Sequence, residues 1–519
     1  MNPLETIFAY HERTKHHPGR YAASLGYMDW ATQPDPFRHY DGAPLQPLPL
    51  TLDAATPAYD RLFLPGGVPP EPLNDETLSR LLQFSLGLAA WKSIGADRWA
   101  LRCNASSGNL HPTEVYLLLP PSSSSPQSRV VHYAPEHHAL ETLAAFTTAF
   151  WDQLPEGSLL LALNSVPWRE AWKYGERAFR YCLLDAGHAR RAVEVSAAML
   201  GWEVTPLDVE TALIERLTGA DRKGRFHPME GESADVLLLI SPQKSKTPDC
   251  NRLPGDLPDR FEGTPRRLSP SHHRWEAVDL AAAATRSGSG GPFCPFSVPE
   301  RRSATESKSV VLERRSARAM DPRRALIGEG EFRSLLASVA PALPETTPVH
   351  FLIFLHRVEG LEPGLYLQLR NPEHFDILRR STRDDFLWRN CGDGLYLLEP
   401  GEFRAQAAFI SCSQEIASDG AFSLGMLCEF RPQLEAFGAR RYRELFAECG
   451  AIGQQLYLEA TSVGLSATGI GCFLDDVVHR TLGLEEDRFQ SLYHFTVGRA
   501  IPDLRLTTLP PYGERNSER

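Results

Sequence analysis

RYCLLDAGHARRAVEVSAAMLGW, residues 180–202, lines up with RELFAECGAIGQQLYLEATSVGL, residues 443–465. Gly187 meets Gly450 and Gly201 meets Gly464, 263 positions apart in both cases (450 − 187, 464 − 201). In each copy small and apolar residues recur at helical spacing, glycine closes the helix, and a short turn leads into a β-like segment. An apolar strand follows each copy, VLLLIS at 236–241 and LYHFTVG at 492–498. A period of half the chain is far too long for a solenoid unit, so the pattern predicts a whole α+β domain duplicated in tandem. Two amphipathic helices can agree by chance, so the repeat also has to be supported by the chemistry of its flanks.

A chain of 519 residues exceeds one ordinary core and predicts at least two domains. With 42% hydrophobic and 23% charged residues it is globular in composition. The net charge of −11 disfavours any role that depends on neutralising phosphates, so nucleic acid is not an expected partner. The start, MNPLETIFAYHERTKHH, carries charges where a signal peptide needs an apolar run, and no transmembrane-length apolar stretch follows, so a cytoplasmic protein off the membrane is expected. Nine cysteines without CxxC pairs read as reduced thiols, mostly in the core. His11, His16 and His17 have no carboxylates at metal spacing, and no metal is expected. Hydrophobic periodicity lapses into Pro, Ser, Gly and charge across 246–308, which reads as an interdomain linker. The expected organisation is therefore an N-terminal extension (1–75), a first domain (76–245), the linker, and a second domain (309–519). PPSSSSPQS, 120–128, reads as a solvated loop between the strand-like VYLLL and VVHYA.

Three short motifs carry chemistry. Arg314, Arg315, Ser316, Ala317 and Arg318 bring guanidinium forks and a hydroxyl together, as a phosphate requires, although a basic run alone is also an ordinary solvated face. Asn104 to Pro112, NASSGNLHP, precedes the strand TEVYLLL. Its small residues let backbone approach a flat ligand, and its Ser and Asn offer donors, though a polar turn has the same composition. Ala467 to Phe473, ATGIGCF, directly follows the second repeat helix and allows main chain close to a ring.

Taken together, these strings resemble FMN-dependent nitroreductases, and most closely the SagB/ThcOx-type dehydrogenases that oxidise azolines to azoles in modified peptides. The resemblance runs from YHERTKHHPGRYA and MDWATQPDPFRHYDGAP through SSGNLHPTE, WKYGERAFRYCLLDAGHA, RRSAR and ATGIGCF to VGRAIPDLRL. It implies two fused nitroreductase-like domains, each with an antiparallel-rich mixed central sheet flanked by helices, forming an intrachain pseudo-dimer. Further oligomerisation stays open. It also implies FMN, held at its phosphate and ribityl by Arg314, Arg315, Ser316 and Arg318, with Ser106, Ser107 and Asn109 lining the ring. Main-chain contacts come from Ile470, Gly471 and Cys472, and a C-terminal cation from Arg499 or Arg505, either of which can instead be a plain exposed arginine. In such dimers each flavin is shared. Here RRSAR and TGIG occur only in the second half and SSGNLHP only in the first. The counterpart of ATGIG is VTPLD at 204–208, TPAYDRLF stands at 56–63 where a first phosphate cluster would be, and PALPETTPVHFLIFL replaces SSGNLHP. One composite site, hence one FMN per chain, is expected.

The same resemblance assigns proton removal to Lys173 and Tyr174. Azoline oxidation removes a proton from carbon as hydride passes to flavin, so a base beside the ring is chemically sensible. The bland alternative is a snorkelling lysine beside a packed tyrosine. The repeat bears on this choice: Lys173 meets Ala436 and Tyr174 meets Phe437, so the pair survives only in the half that kept SSGNLHP. Asp185 and His188 share a helical face but lack a marked nucleophile, and read as a helix-start acid and a packed histidine. The expected partner is a small molecule or a peptide. Two other functions fit the same residues: an NAD(P)H-dependent nitro or quinone reductase, and a non-catalytic flavin-binding scaffold.

Overall fold

The computed structural model describes residues 2–122, 125–288, 290–292, 294–297 and 303–513. Residues 123–124 of the predicted 120–128 loop, 289, 293 and 298–302 of the predicted linker, and 514–519 of the predicted second domain lie outside the described residues. Both quoted repeats are helices: α2 (Ala178–Ala198) and α5 (Arg441–Ser462). Each is buried along nearly its whole circumference, which is why small residues dominate. Each ends the same way. Gly201 and Gly464 adopt the left-handed conformation (φ 67 and 71), and the next amides, of Trp202 and Leu465, reach back five residues to the carbonyls of Ala197 (3.0 Å) and Ala460 (2.8 Å).

Chain contacts divide the protein into two compact units. The Lys–Tyr unit comprises Ser24–Gly290, Ala304–Leu312 and Leu504–Arg519. The RRSAR unit comprises Met1–Ala23, Gly291–Ser303 and Glu313–Asp503. The first is built on β1 (Leu45–Pro47), β2 (Thr113–Leu119), β3 (Ser128–Ala134), β4 (Ala139–Phe146), β5 (Leu159–Ser165), β6 (Glu203–Leu207) and β7 (Ser233–Ser241), in the order β1-β4-β3-β2-β5-β7-β6. Its helices include α1 (Pro167–Tyr174), α2 and α3 (Thr211–Thr218). The second is built on β8 (Val349–Leu355), β9 (Gly364–Gln368), β10 (Arg389–Asn390), β11 (Leu395–Pro400), β12 (Phe422–Glu429), β13 (Ser466–Ile470) and β14 (Phe489–Gly498), in the order β10-β11-β9-β8-β12-β14-β13. It carries α4 (Arg431–Phe437), α5 and α6 (Asp475–Leu482). Six strands of the two sheets take equivalent places, and only the edge strands β1 and β10 differ in origin. Every pairing within both sheets is antiparallel.

The strands read as unbroken apolar runs because both faces of the sheet are covered. Along β2, Val115, Leu117 and Leu119 pack with Val193 and Ala197 of α2, while Tyr116 and Leu118 face Ile214 and Leu217 of α3. Each such leucine contributes about 1.5–3 kcal/mol of burial. The stretch read as a linker is structured over much of its described length. Thr264–Pro265 pairs with Tyr40–Asp41, Leu253, Leu257 and Phe261 enter the core beside α3, and Glu276–Ala284 is a helix, all within the Lys–Tyr unit. Residues 1–75 divide likewise: 2–23 belong to the RRSAR unit and 24–75 to the other.

Candidate active site

In the Lys–Tyr unit the SSGNLHP segment leaves the strand Asp97–Arg102 and turns sharply before β2. Gly108 (φ 57), Asn109 (φ 60) and His111 (φ 51) are all left-handed, and two of them carry side chains, so the turn needs external support. Asp185, from α2, supplies it. The Ser107 amide donates to both carboxyl oxygens (3.0 and 3.1 Å) and its hydroxyl to Oδ1 (2.8 Å). The Ser106 hydroxyl accepts from the His111 amide (2.8 Å), Asn109 Nδ2 donates to Ala100 O (2.9 Å), and Arg169 Nη1 of α1 donates to His111 O (2.8 Å). The polar side chains of Ser106, Ser107 and Asn109 thus hold the loop in shape, and Gly108 remains exposed at its tip.

Lys173 and Tyr174 come to this tip. A Cβ placed on Gly108 would lie 2.7 Å from the Tyr174 hydroxyl, 3.2 Å from Lys173 Nζ and 3.3 Å from Lys173 Cδ. Lys173 Nζ sits 5.3 Å from the centre of the Tyr174 ring, and that ring packs at 4.2 Å on Tyr181 of α2. Asp185 is not a helix-start acid, as the sequence suggested; it is the eighth residue of α2 and is buried. Burial raises its pKa to about 7, and the Ser106 and Ser107 hydrogen bonds limit the rise. Glu170, one turn before Lys173, is wholly buried, and burial followed by the Asp185 charge pushes its pKa well above the usual range.

In the RRSAR unit the phosphate-type motif meets the glycine motif. Ser316 bridges Ala467 in parallel, and the Ala317 amide donates to Ala467 O (2.9 Å). Tyr457 of α5 ties them together: its hydroxyl shares a hydrogen bond with Ser316 Oγ (2.8 Å) and accepts from the Gly469 amide (2.8 Å), while the buried Arg314 guanidinium lies 5.2 Å from its ring centre. Arg315 Nη1 donates to Arg314 O (2.7 Å). Arg318 is 69% exposed, and Asp503 stands 3.9 Å from it. The Asp321 amide donates to Arg499 O (2.8 Å), which brings the Arg499 segment to the same edge; the Arg499 side chain itself reaches Gly464 O (3.4 Å). Arg505 is exposed, in the C-terminal segment that belongs to the Lys–Tyr unit. Ile470 is buried in the core, Gly471 and Cys472 are half-buried, and Cys472 O accepts from Gln414 Nε2 (3.3 Å). Gly469 has a reason of its own: a Cβ there would fall 1.8 Å from the Tyr493 hydroxyl. The Arg314 guanidinium and the Ser316 hydroxyl meet at Tyr457 while Arg318 stands exposed; guanidinium and hydroxyl donors are of the kind a phosphate takes.

Glu170 and Tyr457 were residues that motif reading missed, and Asp185 was noticed there but given the wrong role. Asp185 and Tyr457 both lie inside the quoted repeats, and Glu170 precedes Lys173 by one helical turn. Tertiary structure also assembles groups that spacing hid. His227, Glu230 and His272 lie close together, as do His39, Glu136 and His137, and Glu12, His17 and Asp476. Each is bound internally, His272 Nε2 to Glu230 (2.8 Å), His39 Nε2 to Glu136 (3.1 Å) and His17 Nδ1 to Asp476 (3.2 Å), and Lys15 further pairs with Glu12 (2.8 Å) and Asp476 (3.1 Å). A cavity of about 230 Å³ takes in Pro167, Trp168 and Ala171 of α1 together with Met229 and Trp275, but neither Lys173 nor Tyr174.

Residues 311–499 match the Nitroreductase family model. A Methanocaldococcus jannaschii protein named as a nitroreductase is 25% identical over 161 residues, which is 31% of this chain and 70% of that protein. A crystal structure of an Anabaena variabilis protein, also named as a nitroreductase, aligns over 96% of this chain and 99% of its own at 23% identity, with a TM-score of 0.70. That likeness is one of fold, and it extends beyond 311–499 to both units.

Proposed function

We propose that this protein is an FMN-dependent oxidoreductase, a dehydrogenase of the SagB/ThcOx kind acting on an azoline or related heterocycle in a modified peptide, with one FMN per chain. The observation that carries the reading is the meeting of Gly108 with Lys173 and Tyr174: the loop assigned to the ring and the pair assigned to proton removal occupy one spot. FMN, when bound, supplies the hydride acceptor. Arg314, Ser316 and Arg318 hold its phosphate. Lys173 Nζ takes the proton from the substrate carbon, and the Tyr174 phenol, braced on Tyr181, orients the amine. Asp185 keeps the Ser106–Asn109 turn rigid.

Lys173→Ala tests the assignment with a synthetic thiazoline-containing peptide as substrate. Loss of a general base predicts a fall in kcat of about 10²–10⁴-fold with flavin absorbance retained. Undiminished oxidation with FMN bound would remove Lys173 from the mechanism. Rapid bleaching of the flavin on anaerobic mixing with NADPH would favour the nitro or quinone reductase reading instead.

A further inference from the structure

Glu170 is 0% exposed, and neither carboxyl oxygen has a hydrogen-bond partner among the described residues. Enclosed carboxylates in proteins are paired or bonded, and a bare one is strongly disfavoured relative to the neutral acid. The charged groups that bear on it are Lys173 and Arg169 on its own helix and Asp185 from α2. Arg169 is engaged mainly by other groups: Nε donates to Asp35 O (2.9 Å), Nη1 to His111 O (2.8 Å), and the guanidinium pairs with Glu114, leaving Nη2 without a partner among the described residues. Asp185 is occupied by Ser107. Lys173 stands one turn along the same helix face, half-buried, with its amine at the Gly108 tip. Two carboxyl groups in one dry region do not both ionise.

We propose that Glu170 is held as a neutral carboxylic acid, sharing at most one negative charge with Asp185, and acts as a positioning residue that leaves the Lys173 amine free of a fixed ion pair. The inference rests on the assignment of Lys173 as the proton acceptor. A charged Glu170 one turn away would compete with the Gly108 tip for the Lys173 amine. With Glu170 neutral, the Lys173 amine is left at the Gly108 tip.

Glu170→Gln in the full-length holoprotein tests this without any substrate. An acid whose pKa is raised by folding costs stability progressively as pH rises above its unfolded value near 4.5. The Gln variant lacks that cost, so its Tm should equal or exceed that of the wild type, by a margin that widens from pH 5 to pH 9. The second readout is the pH midpoint for acylation of Lys173 by an amine-selective reagent, followed by peptide mass spectrometry. It should move by no more than a few tenths of a unit. A Tm below that of the wild type at every pH, or a midpoint lowered by about one unit or more, would show a broken ion pair and overturn the proposal. Should the Gln variant fold poorly, the wild type alone decides: the infrared carbonyl band of a protonated carboxylic acid persists at pH 8 if Glu170 is neutral, and its absence contradicts the proposal. Failure of thiazoline oxidation with these readouts as expected would refute the dehydrogenase reading and leave the Glu170 assignment standing.

Discussion

At the scale of single residues, the account turns on Gly108. Its φ of 57 is a conformation that an L side chain adopts at a cost of about 1–2 kcal/mol, and a Cβ would press on Tyr174 and Lys173. Gly108→Ala should therefore lower unfolding stability by about 1–2 kcal/mol in urea titration and reduce turnover about tenfold or more, with flavin still bound. Unchanged turnover would mean that the loop tip does not position the pair. SSGNLHP and the Lys–Tyr dipeptide were legible in sequence because each is a compact string of chemically unusual composition. That they touch was not, because the contact depends on how α1 is set against the turn. The roles of Ser106, Ser107 and Asn109 were legible only as polar donors; that Ser107 and Asn109 donate to Asp185 and Ala100 while Ser106 Oγ and Asn109 Oδ1 accept from His111 follows from the three left-handed residues.

At the scale of elements, β2, β3 and β4 carry a buried polar chain. His132 bridges Glu114 (2.9 Å) and Glu141 (2.8 Å), Arg169 pairs with Glu114, and His39 joins Glu136 to Glu141. Burial pushes Glu141 up, but the His132 and His39 hydrogen bonds more than reverse this and hold it at about 2, so its contribution is present above 4.5 and lost as pH falls toward 2. His39 is raised to about 9, by Glu136 first and Glu141 second. Its contribution is full below its ordinary value of 6.5 and disappears as pH rises through about 9. His39→Gln should accordingly flatten the alkaline limb of the stability curve between pH 6.5 and 9; a limb as steep as in the wild type would show that His39 is not its source. None of this polar network announces itself in sequence, since Glu114 and His132 sit in segments read as strands for their apolar residues, and the strand of Glu141 was not read at all. The 246–308 stretch failed in the opposite way: Leu253, Leu257, Phe261 and Val278 are too sparse to give a period, yet each is buried singly. Periodicity detects faces, not isolated anchors.

At the scale of the whole molecule, the two sheets repeat one strand order, and the elements that follow recur at the sequence offset. α2 and α5 both begin and β6 and β13 both span positions 263 apart. This much was legible, because glycine and small residues fix the helix ends. The chemistry on the repeat is not symmetric. α1 ends in Lys173-Tyr174 before Gly175 (φ 54), whereas α4 ends in Ala436-Phe437 before Gly438 (φ 83); the position of Gly469 in β13 is Pro206 in β6. The same scaffold thus carries Lys173-Tyr174 on one copy and the RRSAR and glycine motifs on the other. The most direct test of the central claim is the flavin-to-protein ratio of the purified chain after saturation with FMN. The account predicts a ratio near one; a ratio near two, or no FMN retained, would contradict it.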